Sequence, residues 1–214
     1  HARGLKLILD FVPNHSSDQH PWFLESRSSQ KSSKRDWYIW RDAAPDGGPP
    51  NNWISDFGGS AWEWDETTGQ YYLHAFLKEQ PDLNWRHPEL SAAMMDVLRF
   101  WLDRGVDGFR IDVLWHIVKA EHFADNPLNP DWTPDRTERD RVFQLHSTDQ
   151  PEAHAISAQF RVLADSYGER LLIGEIFLPN DRHARWYGTV EQPQVHLPFN
   201  FQLIECAWNA PTLR

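Results

Sequence analysis

Leu5-Lys6-Leu7-Ile8-Leu9-Asp10-Phe11-Val12-Pro13-Asn14 is a nearly continuous apolar run that stops at Pro-Asn. A half-exposed strand alternates between apolar and polar residues. A run that is apolar at almost every position fits a parallel strand covered on both faces. Two more stretches share this character, Gly108-Phe109-Arg110-Ile111-Asp112 and Leu171-Leu172-Ile173-Gly174-Glu175-Ile176-Phe177, and His196 to Phe201 reads as a fourth strand. Helical patterns separate them. Pro88 and Glu89 suit a first helical turn; Leu90, Met94, Val97 and Trp101 then recur on one face, and Gly105 ends the helix. A second helix runs from about Pro151 to Tyr167, with Ile156, Phe160, Leu163 and Tyr167 on one face and Gly168 behind it. Strands alternating with helices imply an α/β fold with a parallel sheet.

Residues 17–85 break this rhythm. Ser, Lys, Pro and Gly dominate there without long helical periodicity, so the segment reads as an inserted subdomain between 1–16 and 86–214. Within it, 61–65 and 70–76 flank Glu66-Thr67-Thr68-Gly69 as a β-hairpin closed by a Gly-containing turn. Residues 121–150 form a long polar loop. Seven of the chain's 12 Trp lie between positions 22 and 85. Flat indole faces suit sugar rings, but a large apolar area with a single donor also suits core filling.

A net charge of −10 argues against nucleic acid and anionic membrane surfaces, which recruit basic footprints. The composition, 40% hydrophobic and 24% charged, is that of a globular chain, and no apolar run is long enough to span a bilayer. One cysteine, Cys206, has no intrachain partner, which is compatible with a reducing, cytoplasmic location. The chain opens on His1-Ala2-Arg3-Gly4, with strand pattern by Leu5, and is expected to be an internal portion of a longer protein.

Three strands end in polar residues: Asp10 followed by Asn14 and His15, Arg110 with Asp112, and Glu175. Each alone is accounted for by a cap or a salt bridge. Their joint appearance at the C-terminal strand ends, where parallel α/β folds build sites, points to chemistry. If the strands before Asp112 and Glu175 are neighbours, the two carboxyls lie roughly 5 to 5.5 Å apart, the spacing that retaining glycoside hydrolysis needs. Arg110, two residues before Asp112, shares its face and would keep it ionised as a nucleophile. Glu175, between Ile173 and Ile176-Phe177, would be kept protonated by desolvation. His15 has no partner at metal-ligand spacing, and a hydrogen bond to a substrate hydroxyl is its more economical role. No metal site, cofactor loop, Ser nucleophile elbow or Cys/His pairing is read; Gly58-Gly59-Ser60 lacks the strand-to-helix context.

The ordered segments Asp10-Phe11-Val12-Pro13-Asn14-His15-Ser16-Ser17, Gln80-Pro81-Asp82-Leu83-Asn84-Trp85, Gly108-Phe109-Arg110-Ile111-Asp112-Val113 and Gly174-Glu175-Ile176-Phe177 resemble the signature regions of the α-amylase family of glycoside hydrolases, nearest its α-glucosidase and oligo-1,6-glucosidase branch. The resemblance spans the chain. It implies a partial TIM (β/α)8 barrel, about strands three to six, with a B subdomain inserted after strand three. It further implies Asp112 as nucleophile, Glu175 as general acid/base and Arg110 as the nucleophile's ion-pair partner. His15 becomes a donor to the first sugar, and Phe57, Phe76 and Gln80 close the glucose pocket. For Phe57 and Phe76, hairpin packing is the competing reading. Asp10 and Asn14 are expected to brace the strand end and its loop.

The Gln-Pro-Asp-Leu-Asn-Trp form resembles exo-acting glucosidases, and Val113 resembles the residue of enzymes that accept α-1,6 linkages. The stretch from His146 to Leu203 resembles bacterial cytoplasmic α-glucosidases. The implied activity is a retaining exo-α-glucosidase acting on short α-glucosides, with a small oligosaccharide as partner. A trehalose synthase or other transglucosidase, and a non-catalytic sugar- or partner-binding subunit, are the alternatives. The family's third carboxylate and its first-subsite Asp fall in regions outside these residues. What lies outside 17–85 is well short of the ~250 residues of a complete barrel, so the isolated segment is not expected to be a stable, active enzyme.

Overall fold

The computed structural model describes residues 1–209 and 211; the last positions of the 86–214 segment, 210 and 212–214, lie outside the described residues. The chain divides into two compact units, one of residues 1–13, 94–115 and 151–214, the other of 14–93 and 116–150. The second is larger than the 17–85 segment, because 116–150 belongs to it.

In the first unit, strands β1 (Ile8–Phe11), β5 (Gly108–Ile111), β6 (Leu171–Ile176) and β7 (Leu197–Asn200) form one parallel sheet in the order β1-β5-β6-β7. The numbering leaves β2 (Trp40–Arg41), β3 (Trp62–Asp65) and β4 (Gln70–Leu73) to the second unit. Helix α2 (Pro88–Leu102) precedes β5, and α3 (Pro151–Asp165) precedes β6. Leu90, Met94, Leu98 and Leu102 are the buried stripe of α2, each worth about 1.5–3 kcal/mol relative to exposure. The expected stripe through Val97 and Trp101 is corrected, since Trp101 is 40% exposed. Leu98 and Leu102 extend the i+4 ridge that Leu90 and Met94 begin, whereas Val97 and Trp101 belong to the adjacent ridge on the same side of the helix, and the surrounding structure covers the first of these. In α3, Ile156 and Phe160 are buried as expected, while Leu163 and Tyr167 are only partly covered.

The sheet has two different faces. Phe11, Phe109, Ile111, Leu172 and Ile176 are buried on one, where Phe11 meets Phe109 and Phe160 edge-on at 6.2 and 5.6 Å. The other face carries Asp10, Arg110, Ile173 and Phe199 in neighbouring registers, all at least partly exposed. Gly108 is required where it stands, because a Cβ there would sit 2.1 Å from the carbonyl oxygen of Leu171 on the paired strand. The first strand is shorter than its apolar run. Leu5 and Leu7 precede the pairing with β5 and are exposed, so the expected covering of 5–12 on both faces holds only in part.

In the second unit, β2, β4 and β3 form an antiparallel sheet in that order, and the β3–β4 hairpin closes at the expected turn. Asp65 accepts bonds from both the N–H and the hydroxyl of Thr68, and Gly69 supplies the positive φ of +65°. Helix α1 (Pro21–Arg27) lays the buried Phe23 against Tyr38, Trp40 and Tyr72. Of the seven clustered tryptophans, Trp37, Trp40, Trp53, Trp62 and Trp85 are buried, so core filling accounts for most of them. Two short helices, α4 (Asn180–His183) and α5 (Gln202–Glu205), flank β7 in the first unit. Among the described residues, no helix is long and apolar enough to cross a membrane.

Candidate active site

Strand pairing places the carboxyls. Ile111 of β5 pairs with Gly174 of β6, so the next residues, Asp112 and Glu175, leave adjacent strands at the same height. Asp112 extends β5 by one bond, its N–H donating to the carbonyl of Phe11 at 2.9 Å. Period-2 alternation turns Arg110 and Asp112 to the same side, toward Glu175.

Arg110 joins the group. Its Nη1 donates to Asp112 Oδ1 at 2.5 Å and to both oxygens of Asp10 at 2.9 and 3.1 Å, and its Nη2 donates to Glu175 Oε2 at 2.6 Å. The two strand-end carboxyls are therefore held by the two terminal nitrogens of one planar guanidinium. The pairing expected between Arg110 and Asp112 extends to three carboxylates, because the rigid fork of donors spans neighbouring strands. Asp10, expected as a brace, belongs to this cluster, although it is more than half exposed. Phe199 of β7 lies 5.9 Å from the guanidinium carbon.

The electrostatics separate the acids. Burial by low-dielectric surroundings raises the Glu175 carboxyl above its ordinary range; the Val113 N–H and Arg110 oppose this, while the charge of Asp112 and a hydrogen bond with it raise it further. Burial alone would lower Arg110, but its bond to Asp10 and the charges of Glu175 and Asp112 leave it above its usual value. The arrangement therefore presents a carboxyl that holds its proton more firmly than usual beside a second acid bonded to the same guanidinium.

The remaining expected residues lie in the second unit. His15 Nε2 is 2.9 Å from Gln80 Nε2, and its ring lies 5.5 Å from that of Phe76, which meets Phe57 edge-on at 5.9 Å. His15, Phe57, Phe76 and Gln80 thus form one cluster, with Phe57 68% exposed. With Nε2 of His15 accepting from the Gln80 amide, donation from that nitrogen to a sugar requires the tautomer with its proton on Nε2 and a hydroxyl in Gln80's place. Asn14 is buried; it donates to Asp82 and accepts from Lys119, bracing its loop as expected.

Two buried polar groups escape a reading of the sequence. Lys119 Nζ pairs with Asp82 Oδ2 at 2.5 Å, both side chains almost fully buried, and also donates to the carbonyl of His116. A lysine inside the apolar Trp115-His116-Ile117-Val118-Lys119-Ala120 stretch was the available signal, since a buried ammonium needs a partner. Asp56, next to Phe57, is bound by Arg139 at 2.9 Å and faces His116 at 3.6 Å. Burial opposes its charge, but His116, Arg139 and Gln144 hold its carboxyl down at about 2. Among the described residues, no three His, Cys, Asp or Glu side chains gather in a way that would hold a metal ion.

An α-glucosidase of Culex pipiens is 42% identical over 211 residues, covering 95% of this chain and 36% of its own length. An oligo-1,6-glucosidase of Heyndrickxia coagulans is 42% identical over 202 residues, covering 94% of this chain and 35% of its own length. The chain thus spans about a third of the length of these relatives. The crystal structure of an α-glucosyl transfer enzyme, XgtA, superposes on the whole chain and 41% of its own with a TM-score of 0.92 at 39% identity. The parallel sheet with α2 and α3 is accordingly part of a (β/α)8 barrel, accompanied by an additional antiparallel sheet. The α-amylase catalytic-domain model matches residues 1–212, and the chain belongs to the α-amylase family of glycoside hydrolases.

Proposed function

We propose that this chain supplies the reacting carboxyls of a retaining exo-α-glucosidase that acts on short α-1,4- or α-1,6-glucosides. The observation that carries the reading is the single guanidinium, Arg110, bonded to Asp112 and Glu175 at the ends of adjacent strands. Asp112 attacks the anomeric carbon while Glu175 gives its proton to the leaving glycosidic oxygen, forming a covalent glucosyl ester. Glu175, now a carboxylate, takes a proton from water, which attacks the same carbon and releases glucose and Asp112. Arg110 bonds to Asp112 and Glu175 through different nitrogens and orients both acids. In this reading His15 and Gln80 bind sugar hydroxyls, and Phe57 and Phe76 offer the sugar an apolar surface.

On the same reading β1, β5, β6 and β7 are barrel strands three to six, 17–85 is an inserted subdomain and 86–214 returns to the barrel. Glucosyl transfer to a sugar acceptor, as in a trehalose synthase, is the second reading, favoured by the likeness to XgtA. It uses the same ester and differs in the acceptor.

Asp112→Asn in the full-length protein tests the proposal. Turnover of maltose and isomaltose is expected to fall by at least 10³-fold, in line with losing a triad-type nucleophile. Mass spectrometry of the unsubstituted enzyme, quenched in turnover, should find one hexose on the peptide bearing Asp112. Full turnover by the variant, or hexose on another residue, refutes the assignment. Product analysis separates glucose release from transfer.

A further inference from the structure

Val113, directly after Asp112, has φ of +36°. Left-handed backbone is uncommon in any residue with a side chain, and in a β-branched one it is an outlier, because the Cβ substituents crowd the neighbouring carbonyl. Gly or Asn would meet a turn requirement there with less strain. Such outliers persist where the surroundings over-determine them, and they cluster where strain serves a site. The side chain is buried, so the packing to hold it exists.

One bond shows what the conformation achieves. The Val113 N–H donates to Glu175 Oε2 at 3.0 Å, and the same oxygen accepts from Arg110 Nη2 at 2.6 Å. Two donors, one of them cationic, converge on a single carboxyl oxygen. An oxygen so occupied is an acceptor and cannot also present a proton outward.

We propose that the strained Val113 backbone is a positioning element that pins Oε2 of Glu175 as a fixed acceptor and so makes Oε1 the oxygen that carries the transferable proton. The inference rests on the reading of Glu175 as acid/base and deepens it. As the glycosidic bond breaks, its electron pair stays on the leaving oxygen, which takes the proton from Oε1. The charge left on the Glu175 carboxylate spreads onto Oε2, where both donors are already in place. Their bonds strengthen as that charge grows, so they favour the transition state over the ground state. The charged groups facing Glu175 are Arg110 and Asp112, with Asp10 of β1 bound to the same guanidinium; β7 contributes the Phe199 ring.

The test is a backbone ester in the full-length protein, made by replacing Val113 with α-hydroxyvaline, which deletes the N–H and keeps the side chain. Because the deleted donor favours the ionised form of Glu175, the alkaline limb of kcat/KM for maltose is expected to move up by about one pH unit, with about a tenfold loss at the optimum. A dinitrophenyl α-glucoside, whose leaving group needs no proton, should lose little. Val113→Gly, which removes the side-chain packing that holds φ, should move the limb in the same direction, and Val113→Ala, which keeps a Cβ and the N–H, should not. Ester and Gly variants whose pH profiles superimpose on that of the unsubstituted enzyme overturn the positioning role. Glu175→Gln separates the two claims. If it retains maltose turnover, the acid/base reading itself fails. If it is inactive on maltose and recovers dinitrophenyl glucoside turnover with azide, while the Val113 profiles stay unchanged, only the positioning role falls.

Discussion

Replacing Arg110 with Lys keeps the charge and removes the fork. The guanidinium reaches Asp112 and Glu175 through different nitrogens, at 2.5 and 2.6 Å, whereas an ammonium is a single point that can satisfy one of them. Asp10 is 56% exposed, so its pairing adds little to the balance. The Asp112 and Glu175 side chains are 21% and 16% exposed, and losing one charge-assisted bond to either costs about 1.5–3 kcal/mol. If that bond orients a reacting group, kcat/KM falls by roughly 10- to 150-fold with a smaller change in KM. The direction of the pH response follows from the same contacts. Arg110 lowers Glu175, so a lysine that stays with Asp112 lets the Glu175 carboxyl rise further, and activity is retained to higher pH. The assay is kcat/KM for maltose across pH 4 to 10, with a thermal melt to confirm folding. A folded Arg110→Lys enzyme within threefold of the unsubstituted one, with an unshifted alkaline limb, would refute the reasoning.

Lys119→Met removes the cation from the buried Asp82 carboxylate in the second unit, leaving it the Asn14 amide and the Ala75 N–H as donors among the described residues. Urea denaturation should show a loss of about 3–5 kcal/mol, most of it recovered by adding Asp82→Asn; a loss under 1 kcal/mol would show the pair to be unimportant. Asp56 is held at about 2 against an ordinary 3.8, so it adds stability above pH 4 that is lost as pH falls toward 2. That contribution is about 2 kcal/mol, and Asp56→Asn should remove the corresponding part of the acid-side slope in melting temperature; an unchanged slope would assign the acid sensitivity elsewhere.

Local chemistry was enough to find the strands, the two main helices, the hairpin turn and the polar strand ends. A buried parallel strand, a Pro-Glu helix start and a Gly-closed turn each answer to forces acting within a few residues. Where long-range packing decides, local chemistry is not enough. The α2 stripe passes through Leu98 and Leu102 because those residues meet buried surface, and periodicity alone does not distinguish that ridge from the neighbouring one through Val97 and Trp101.

By itself the sequence determined that polar side chains, two of them acids, end separate buried strands. Only tertiary structure decided that those strands are adjacent, in a register that sets Ile111 against Gly174 and so brings Asp112 and Glu175 level. It also decided that one guanidinium holds three carboxylates, that Lys119 is paired with Asp82, and that Val113 takes a left-handed backbone. The physical reason is one of range. Propensity and alternation act through the backbone over a turn or two, whereas the pairing of charges 65 residues apart exists only once the sheet has assembled and excluded water around them.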